Sequence, residues 1–305
     1  MAQVNTDAPR SGGKYLNNDE NAFGLLRDSS GSLARPGELR DRLQEDGYLY
    51  LRGFFLRQSV LEVRKSILAR MREQELILPS SSSLEARANP ARPTVFMPKL
   101  VENNFALKGL IYGDRVMSFY ESLLEGPILH YDYTWFRPVG PGRGTAPHCD
   151  LVYMGRGTRQ VFTMWVPYGD VSLQLGGLMV LEQSHRKGAR LRNYLSRDVD
   201  TYCANRPGFE KAQNTNSLLW DGKLAKDPVS LRNKLGGRWL TAEFQAGDVV
   251  TFGMTLVHAS LDNQTFQIRL SSDSRYQLAT EGVDDRWIGL NPAGHTRAGK
   301  RGRIC

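Results

Sequence analysis

Hydrophobic and polar positions alternate with a period close to two along much of the chain from residue 128 onward. The alternating stretches read ILHYDYTWF, VFTMWVP, LMVL, VVTFGMTLV and QIRLSSDSRY, and turns rich in Gly, Pro and Asp separate them. A succession of short segments of this kind is typical of β-strands joined by tight turns. The sequence therefore predicts an all-β core in this part of the protein.

The chain before residue 128 shows the spacing of helices. The stretch SVLEVRKSILARM places Val60, Val63, Ile67 and Met71 on one helical face, and GDRVMSFYESLLEG repeats that spacing. The segment ELRDRLQEDG predicts a short helix that ends at Gly47, and the segment YLYLRGFF predicts a strand after it. We expect these elements to form an N-terminal helical layer against the β core.

Four stretches lack regular periodicity and set the expected domain limits. Residues 1–35 are rich in Gly, Asn, Asp and Ser and are predicted to be largely flexible. Residues 79–98 carry four consecutive serines and several prolines, which predicts a long loop of the kind that forms lids. Residues 186–245 predict an insertion or lid, and residues 291–305 predict a basic flexible tail. The range 36–290 is expected to be a single domain that contains the insertion.

Composition narrows the class of protein. The chain has 40 Lys+Arg against 32 Asp+Glu, a net charge of +8 that suits an anionic substrate or simple solubility and does not by itself predict nucleic-acid binding. Cys149, Cys203 and Cys305 lie far apart, which favours neither a disulfide framework nor a cysteine zinc site. No apolar run is long enough for a membrane span. We expect a cytoplasmic protein without a nucleic-acid or membrane partner, and its oligomeric state stays open.

Two His-x-Asp triplets are the candidate metal-binding motifs. His130 and Asp132 form the first, and His148 and Asp150 form the second. On a β-strand, residues i and i+2 face the same side, so either triplet would present an imidazole beside a carboxylate. A second histidine on another strand would complete the two-His-one-carboxylate set that binds Fe(II), and His258 at the end of VVTFGMTLV is the best candidate. The residues alone do not choose between the two triplets.

An arginine follows this histidine at a suggestive distance. Arg269 comes eleven positions after His258, beyond the turn LDNQT, which predicts that the two lie on consecutive antiparallel strands and face one cavity. A guanidinium there could bind the distal carboxylate of a 2-oxo acid through two hydrogen bonds. The Ser260 hydroxyl could donate to the same carboxylate.

Several longer motifs resemble one known family. They are PHCD at 147–150, VFTMWVPY at 161–168, GGLMVLEQSHRKG at 176–188, GDVVTFGMTLVHAS at 247–260 and QIRLSSDSRYQ at 267–277. In order and spacing they resemble the phytanoyl-CoA dioxygenase family, and the opening DGYLYLRGFF with its helix extends the resemblance back to about residue 37. The resemblance implies a double-stranded β-helix, a jelly-roll fold related to the cupins.

The resemblance also implies roles for individual residues. It implies that His148, Asp150 and His258 bind iron. It further implies a set of residues that contact the cosubstrate 2-oxoglutarate: Arg269, Ser260, Trp165, His130 and Lys99. The sequence departs from the family where Cys149 replaces a common Gln and where EQSH replaces the usual PGSH, and neither change removes a ligand.

The implied activity is that of an Fe(II)- and 2-oxoglutarate-dependent dioxygenase. Such an enzyme uses O₂ to hydroxylate or otherwise oxidise a small organic substrate, here a specialised metabolite, and releases succinate and CO₂, with ascorbate as a candidate reductant. Asp150 argues against a halogenase, because related halogenases carry a small residue in place of the carboxylate. Three alternatives stay open: an acyl-CoA hydroxylase of the same family, a cupin-like metal enzyme that does not use 2-oxoglutarate, and a non-catalytic jelly-roll binding protein.

Overall fold

The computed structural model describes residues 8–201 and 220–295, and its centre consists of two β-sheets. The described part of the larger sheet contains β4 (Tyr48–Leu51), β5 (Ile128–His130), β6 (Trp135–Val139), β7 (Phe162–Pro167), β10 (Val249–Gly253) and β12 (Arg269–Leu278). Its order is β4-β10-β7-β12-β5, and β6 also pairs with β12. All these pairings are antiparallel. The long strand β12 thus lies between β7 on one side and β5 and β6 on the other.

The described part of the smaller sheet has four strands. They are β3 (Phe23–Leu25), β8 (Leu178–Leu181), β9 (Trp239–Thr241) and β11 (His258–Ser260), in the order β11-β8-β9-β3. The pairings are antiparallel except for that of β3 with β9, which is parallel.

Apolar side chains from both sheets form one buried cluster. Trp165 and Val250 come from the larger sheet, and Leu178 and Val180 come from the smaller sheet. Because side chains alternate along a strand, the neighbours Met164 and Val166 of β7 face away from this cluster, toward the helices. The two sheets therefore pack face to face, which confirms the predicted β core and jelly-roll architecture.

Helices cover the other face of the larger sheet. They are α1 (Pro36–Asp46), α2 (Arg57–Glu73), α3 (Phe105–Ile111) and α4 (Asp114–Leu124). The predicted face of α2 is buried, and the Tyr120 ring of α4 stacks on Tyr276 of β12 with ring centroids 4.3 Å apart. The predicted N-terminal helical layer is confirmed.

An N-terminal hairpin crosses the end of the smaller sheet. The strands β1 (Arg10–Ser11) and β2 (Lys14–Tyr15) form it. The Ser11 hydroxyl donates to the Ser260 carbonyl at 2.8 Å, and the backbone N–H groups of Gly12 and Gly13 donate to the Asp262 carboxylate at 3.0 and 2.8 Å. Gly12 and Gly13 both have positive φ, 59° and 75°, which glycine adopts without strain. The hairpin therefore holds the strand end that carries Ser260.

Three short helices lie outside this layer: α5 (Leu151–Met154), α6 (Gly188–Leu195) and α7 (Pro228–Leu235). The helices α6 and α7 and the strand β9 fall within residues 186–245, the range that the sequence predicts to be an insertion. The triplet of β9 is too short to show alternation, so its place in the smaller sheet was not expected. Residues 202–219 of the predicted insertion lie outside the described residues, and so do residues 1–7 of the N-terminal segment and 296–305 of the tail. The predicted domain limits therefore stay predictions. None of the described helices is long and apolar enough to cross a membrane.

Two predicted strands are each broken by a turn. The stretch ILHYDYTWF forms β5 and β6, because Asp132 leaves the sheet and its N–H donates to the Trp287 carbonyl at 2.8 Å. The stretch VVTFGMTLV forms β10 and then a turn, in which the Leu256 N–H donates to the Gly253 carbonyl at 3.2 Å. This turn carries the chain from one sheet to the other, so His258 begins β11 instead of ending β10.

Candidate active site

Three buried side chains converge where the two sheets meet. His148 and His258 lie opposite each other in an antiparallel bridge, and each N–H donates to the other's carbonyl at 3.0 Å. Asp150 lies directly before α5 with helical backbone angles, φ −66° and ψ −26°. One donor atom from each of these residues lies within 4.8 Å of the others, and among the described residues this is the only such group of three. The helical turn that begins at Asp150, rather than the β-strand on which we expected the His148–Asp150 triplet to lie, places the carboxylate beside the two imidazoles.

Backbone carbonyls orient both imidazoles. His148 Nδ1 lies 2.8 Å from the Ala146 carbonyl, and His258 Nδ1 lies 3.0 Å from the Leu256 carbonyl. A carbonyl only accepts hydrogen bonds, so each Nδ1 carries the proton and each Nε2 carries a free lone pair. The two Nε2 atoms lie 3.9 and 3.7 Å from Asp150 Oδ1. Two nitrogen donors and one carboxylate oxygen thus face a common point.

Burial and neighbouring charge set the protonation of the three groups. Burial, with the proximity of His258, lowers the pKa of His148 to about 3, and burial likewise lowers the pKa of His258. Burial alone would raise the pKa of Asp150, but the positive charge of Arg275 and the two imidazoles outweigh it and hold that pKa below its usual range. At neutral pH the site therefore presents two neutral imidazoles and one carboxylate, the forms that bind a metal ion.

The second carboxylate oxygen of Asp150 has its own partners. The Thr163 hydroxyl donates to Oδ2 at 2.5 Å, and Arg275 Nη2 donates to the same oxygen at 3.0 Å. Neither residue was predicted. The motif RLSSDSRY carries a usable signal, because Arg269, Asp273 and Arg275 occupy alternate positions and must face the same side of β12.

A small inner cavity lies beside His148 and His258. Trp165, Ser260 and Arg269 line it together with both histidines. The structure thus brings three of the five predicted cosubstrate residues to one place, although the strands that carry them are arranged differently from the expectation. His258 and Arg269 do not lie on paired strands, because β11 belongs to the smaller sheet and β12 to the larger. They face each other across the sandwich.

The Arg269 guanidinium is buried with part of its hydrogen-bonding capacity unused. Its Nη1 donates to the Gly176 carbonyl, while Nε has no hydrogen-bond partner among the described residues. Burial and the nearby Arg137 lower the pKa of Arg269 to about 10, so that it stays charged at neutral pH. A buried cation with a free donor edge fits a carboxylate ligand.

Arg137 is a further site residue that sequence reasoning missed. It lies on β6 beside β12, and its Nε donates to Asp273 Oδ2 at 2.7 Å. It lines both the inner cavity and a larger outer cleft. The predicted strand ILHYDYTWF ends at Phe136, one residue before this arginine, whereas β6 continues to Val139.

His130 and Lys99 are not brought to the site. The His130 ring stacks on Tyr112, with centroids 4.0 Å apart and planes at 16°, and its backbone pairs with Tyr276 near the far end of β12. His130 Nδ1 lies 3.6 Å from Asp132 Oδ1, without a second histidine beside them. Lys99 is exposed in a short helical turn. Neither residue lines the inner cavity or the outer cleft.

The outer cleft has a volume of about 310 Å³ and opens above His148 and Asp150. Its remaining walls are mostly aromatic, apolar or basic, and they include one acidic side chain, Asp221, whose Oδ2 lies 2.5 Å from Lys223 Nζ. These walls include Phe96, Trp135, Arg137, Tyr153, Met154, Lys223 and Arg275. Two wall residues, Val95 and Phe96, come from the predicted loop 79–98, and two, Asp221 and Lys223, come from the predicted insertion 186–245, so both irregular segments contribute to the cleft.

Comparisons with known proteins give a family and a fold. The family model of phytanoyl-CoA dioxygenase (PhyH) matches residues 43–271, well over half of the chain. No curated protein sequence matches.

Solved structures similar to this chain include the epimerase SnoN from nogalamycin biosynthesis in complex with Fe³⁺, alpha ketoglutarate and nogalamycin RO (19% identity, 85% of this chain and 93% of that chain, TM-score 0.55). The carbocyclase SnoK from the same biosynthesis has 14% identity over 88% and 92%, with a TM-score of 0.59. EctD from S. alaskensis with bound Fe has 16% identity over 97% and 92%, with a TM-score of 0.55. At these identities the likeness shows a shared fold.

Proposed function

The chain belongs to the phytanoyl-CoA dioxygenase family and is an oxidoreductase that uses iron and 2-oxoglutarate, and from this premise we propose that it hydroxylates or otherwise oxidises a small organic substrate. Succinate and CO₂ are the coproducts. We further propose that His148, Asp150 and His258 bind the iron. The observation that carries this proposal is the convergence of two imidazole Nε2 atoms and Asp150 Oδ1.

The donor set fits Fe(II). Two neutral imidazoles and one carboxylate on one side of a metal ion form the facial triad of non-haem iron oxygenases, and they leave the opposite side open. Bound Fe(II) supplies the activation of O₂, coupled to the oxidative decarboxylation of 2-oxoglutarate. The chain's own contribution is to hold these three donors in a buried position where little water reaches them.

Arg269 is proposed to bind the distal carboxylate of 2-oxoglutarate. Its Nη1 is engaged by Gly176, and the edge formed by Nε and Nη2 makes no hydrogen bond with the described residues. Two parallel N–H donors on one edge match the two oxygens of a carboxylate. Ser260 and Trp165 would border the same ligand, since they line the same cavity.

Arg137 is proposed to take the contact that we had assigned to His130 and Lys99. Its Nε is fixed by Asp273, whereas Nη1 and Nη2 have no hydrogen-bond partner among the described residues. Because Arg137 borders His148 in both cavities, these two donors are available to the metal-side carboxylate of the cosubstrate.

The substrate is proposed to be a ring-bearing specialised metabolite. Phe96, Trp135 and Tyr153 give the outer cleft aromatic walls against which a ring can stack. SnoN, a protein of similar fold, is an epimerase solved with nogalamycin RO, and SnoK is a carbocyclase of the same biosynthesis. We propose hydroxylation as the outcome, and cyclisation or epimerisation are reactions that this fold also serves in those proteins.

The test is the turnover of 2-oxoglutarate by the purified full-length chain loaded anaerobically with Fe(II). Succinate should form on addition of O₂, its formation should require Fe(II), and it should accelerate with ring-bearing compounds in a panel that also contains acyl-CoA thioesters. The variant Asp150→Ala should form none, and Asp132→Ala, the matched change in the other triplet, should retain the activity. Oxidation of a panel compound without succinate would point to the cupin-like alternative. Failure of the folded wild-type chain to bind Fe(II) would contradict the proposal.

A further inference from the structure

The two oxygens of the Asp150 carboxylate lie in different surroundings. Oδ1 faces the Nε2 atoms of His148 and His258, and Oδ2 faces away from them and accepts from Thr163 at 2.5 Å and from Arg275 at 3.0 Å. All five side chains are buried. One oxygen is thus left for a metal ion while the other is already used by the protein.

The larger sheet sets the positions of both donors to Oδ2. Thr163 on β7 and Arg275 on β12 are paired residues in the antiparallel register, so their side chains leave the sheet on the same face. The guanidinium of Arg275 lies over the Trp135 ring, 4.1 Å from its centroid, which restricts its movement.

The hydrogen bonds of Arg275 are concentrated on this one carboxylate. Its Nη2 donates to Asp150, whereas Nε and Nη1 have no hydrogen-bond partner among the described residues. A fully buried arginine that served only to stabilise the fold would be expected to satisfy more of its five N–H donors. The arrangement therefore indicates a function centred on Asp150.

We propose that Arg275 and Thr163 are positioning residues that keep Asp150 a one-oxygen ligand of the metal ion. This inference rests on the proposed function of His148, Asp150 and His258. Chelation by both carboxylate oxygens would require Oδ2 to give up a hydrogen bond to a buried cation and one to a buried hydroxyl. The two donors thus preserve the open coordination positions that 2-oxoglutarate and O₂ need.

The proposal predicts a separable defect in metal and cosubstrate binding. In the variants Arg275→Met and Thr163→Val, Asp150 loses a partner that orients it, and its carboxylate is free to rotate away from the two imidazoles. The dissociation constant for Fe(II), measured anaerobically by calorimetry, should rise about 10- to 100-fold in Arg275→Met, the usual effect of losing a residue that orients a metal ligand. Thr163→Val, which keeps the side-chain shape, should show a smaller rise. The visible charge-transfer band of the Fe(II)–2-oxoglutarate complex should shift or weaken in both variants.

Matched controls separate positioning from stability. Thr251→Val removes another buried hydroxyl of the same sheet, which bonds Tyr120 at 2.6 Å on the helical side. Arg64→Met removes an α2 guanidinium that donates to the Tyr168 carbonyl at 2.6 Å. Both controls should lower the unfolding temperature while leaving Fe(II) affinity and the charge-transfer band unchanged. Arg275→Lys, which keeps the charge, should recover part of the Fe(II) affinity.

The outcomes distinguish this inference from the proposed function. If Asp150→Ala retains Fe(II), the metal ligands themselves are misassigned. If Asp150→Ala loses Fe(II) while Thr163→Val and folded Arg275→Met bind Fe(II) and 2-oxoglutarate as the wild type does, only the positioning role is overturned. Should Arg275→Met fail to fold, Thr163→Val decides, since an unchanged charge-transfer band in that variant would equally overturn the role.

Discussion

The substitution Arg269→Lys tests the cosubstrate site most directly. The arginine already gives Nη1 to the Gly176 carbonyl, its Nε and Nη2 edge makes no hydrogen bond with the described residues, and the side chain lines the inner cavity. A lysine has one ammonium group in place of these two separate donor edges. It keeps the positive charge but cannot both bond Gly176 and present two parallel N–H groups to a carboxylate.

The expected loss is that of one charge-assisted hydrogen bond. Such a bond contributes about 1.5–3 kcal/mol. At about 1.4 kcal/mol for each factor of ten, the dissociation constant of 2-oxoglutarate should rise about 10- to 150-fold. Fe(II) affinity should change little, because Arg269 makes no hydrogen bond to His148, Asp150 or His258.

The assay is a titration of the anaerobic Fe(II) complex with 2-oxoglutarate, followed by its visible charge-transfer band. Lys99→Met and His130→Ala serve as controls, since both side chains lie outside the inner cavity, and both should bind 2-oxoglutarate as the wild type does. The reasoning would be refuted by an unchanged dissociation constant in Arg269→Lys. A loss of 2-oxoglutarate affinity in Lys99→Met would place the carboxylate anchor elsewhere.

Three further predictions address the metal site, the fold and the cleft. Asp150→Ala should abolish Fe(II) binding in metal analysis, whereas Asp132→Ala should keep it, and equal iron content in the two variants would contradict the ligand assignment. Arg286→Met should lower the free energy of unfolding in urea by about 3–5 kcal/mol, because it leaves the buried Asp284 carboxylate without its cation and leaves Asp200 with only the more distant Arg156; a loss below about 1 kcal/mol would show that the two carboxylates find other partners. In the free protein, the backbone amides of residues 79–98 should exchange their hydrogens faster than those of β7 and β12, and this exchange should become slower when Fe(II), 2-oxoglutarate and substrate bind. Slow exchange of residues 79–98 in the free protein would instead indicate a preformed cleft wall.

The fold could be predicted as far as local patterns reach. Period two gave the strands and the helical spacing gave α2 and α4, since each pattern depends on neighbours a few residues apart. Which sheet a strand joins depends on turns that reverse or cross the chain, and the turn after Gly253 moved His258 to the opposite sheet from the one expected. The alternation of apolar and polar residues shows which side chains share one face of a strand, but it does not show which other strand or helix packs against that face.

The same limit applies to the candidate site. His148, Asp150 and His258 carry a recognisable chemistry and order, and the structure brings them together. Thr163 and Arg137 look like ordinary polar positions in apolar strands, and only the pairing of their strands with β12 shows that they face the metal site and the two cavities.

The N-terminal hairpin has a consequence for synthesis of the chain on the ribosome. Ser11 bonds the carbonyl of Ser260 across 249 residues of sequence, and Asp262 accepts from the two glycines that follow Ser11. At a translation rate of about 5–20 residues per second, the hairpin waits roughly 12–50 seconds for the strand that it holds. Contacts of such high sequence separation form late, because the intervening loop must be closed first. The hairpin is therefore made long before it can dock, and the cosubstrate side of the site is completed only after residue 262 has been made.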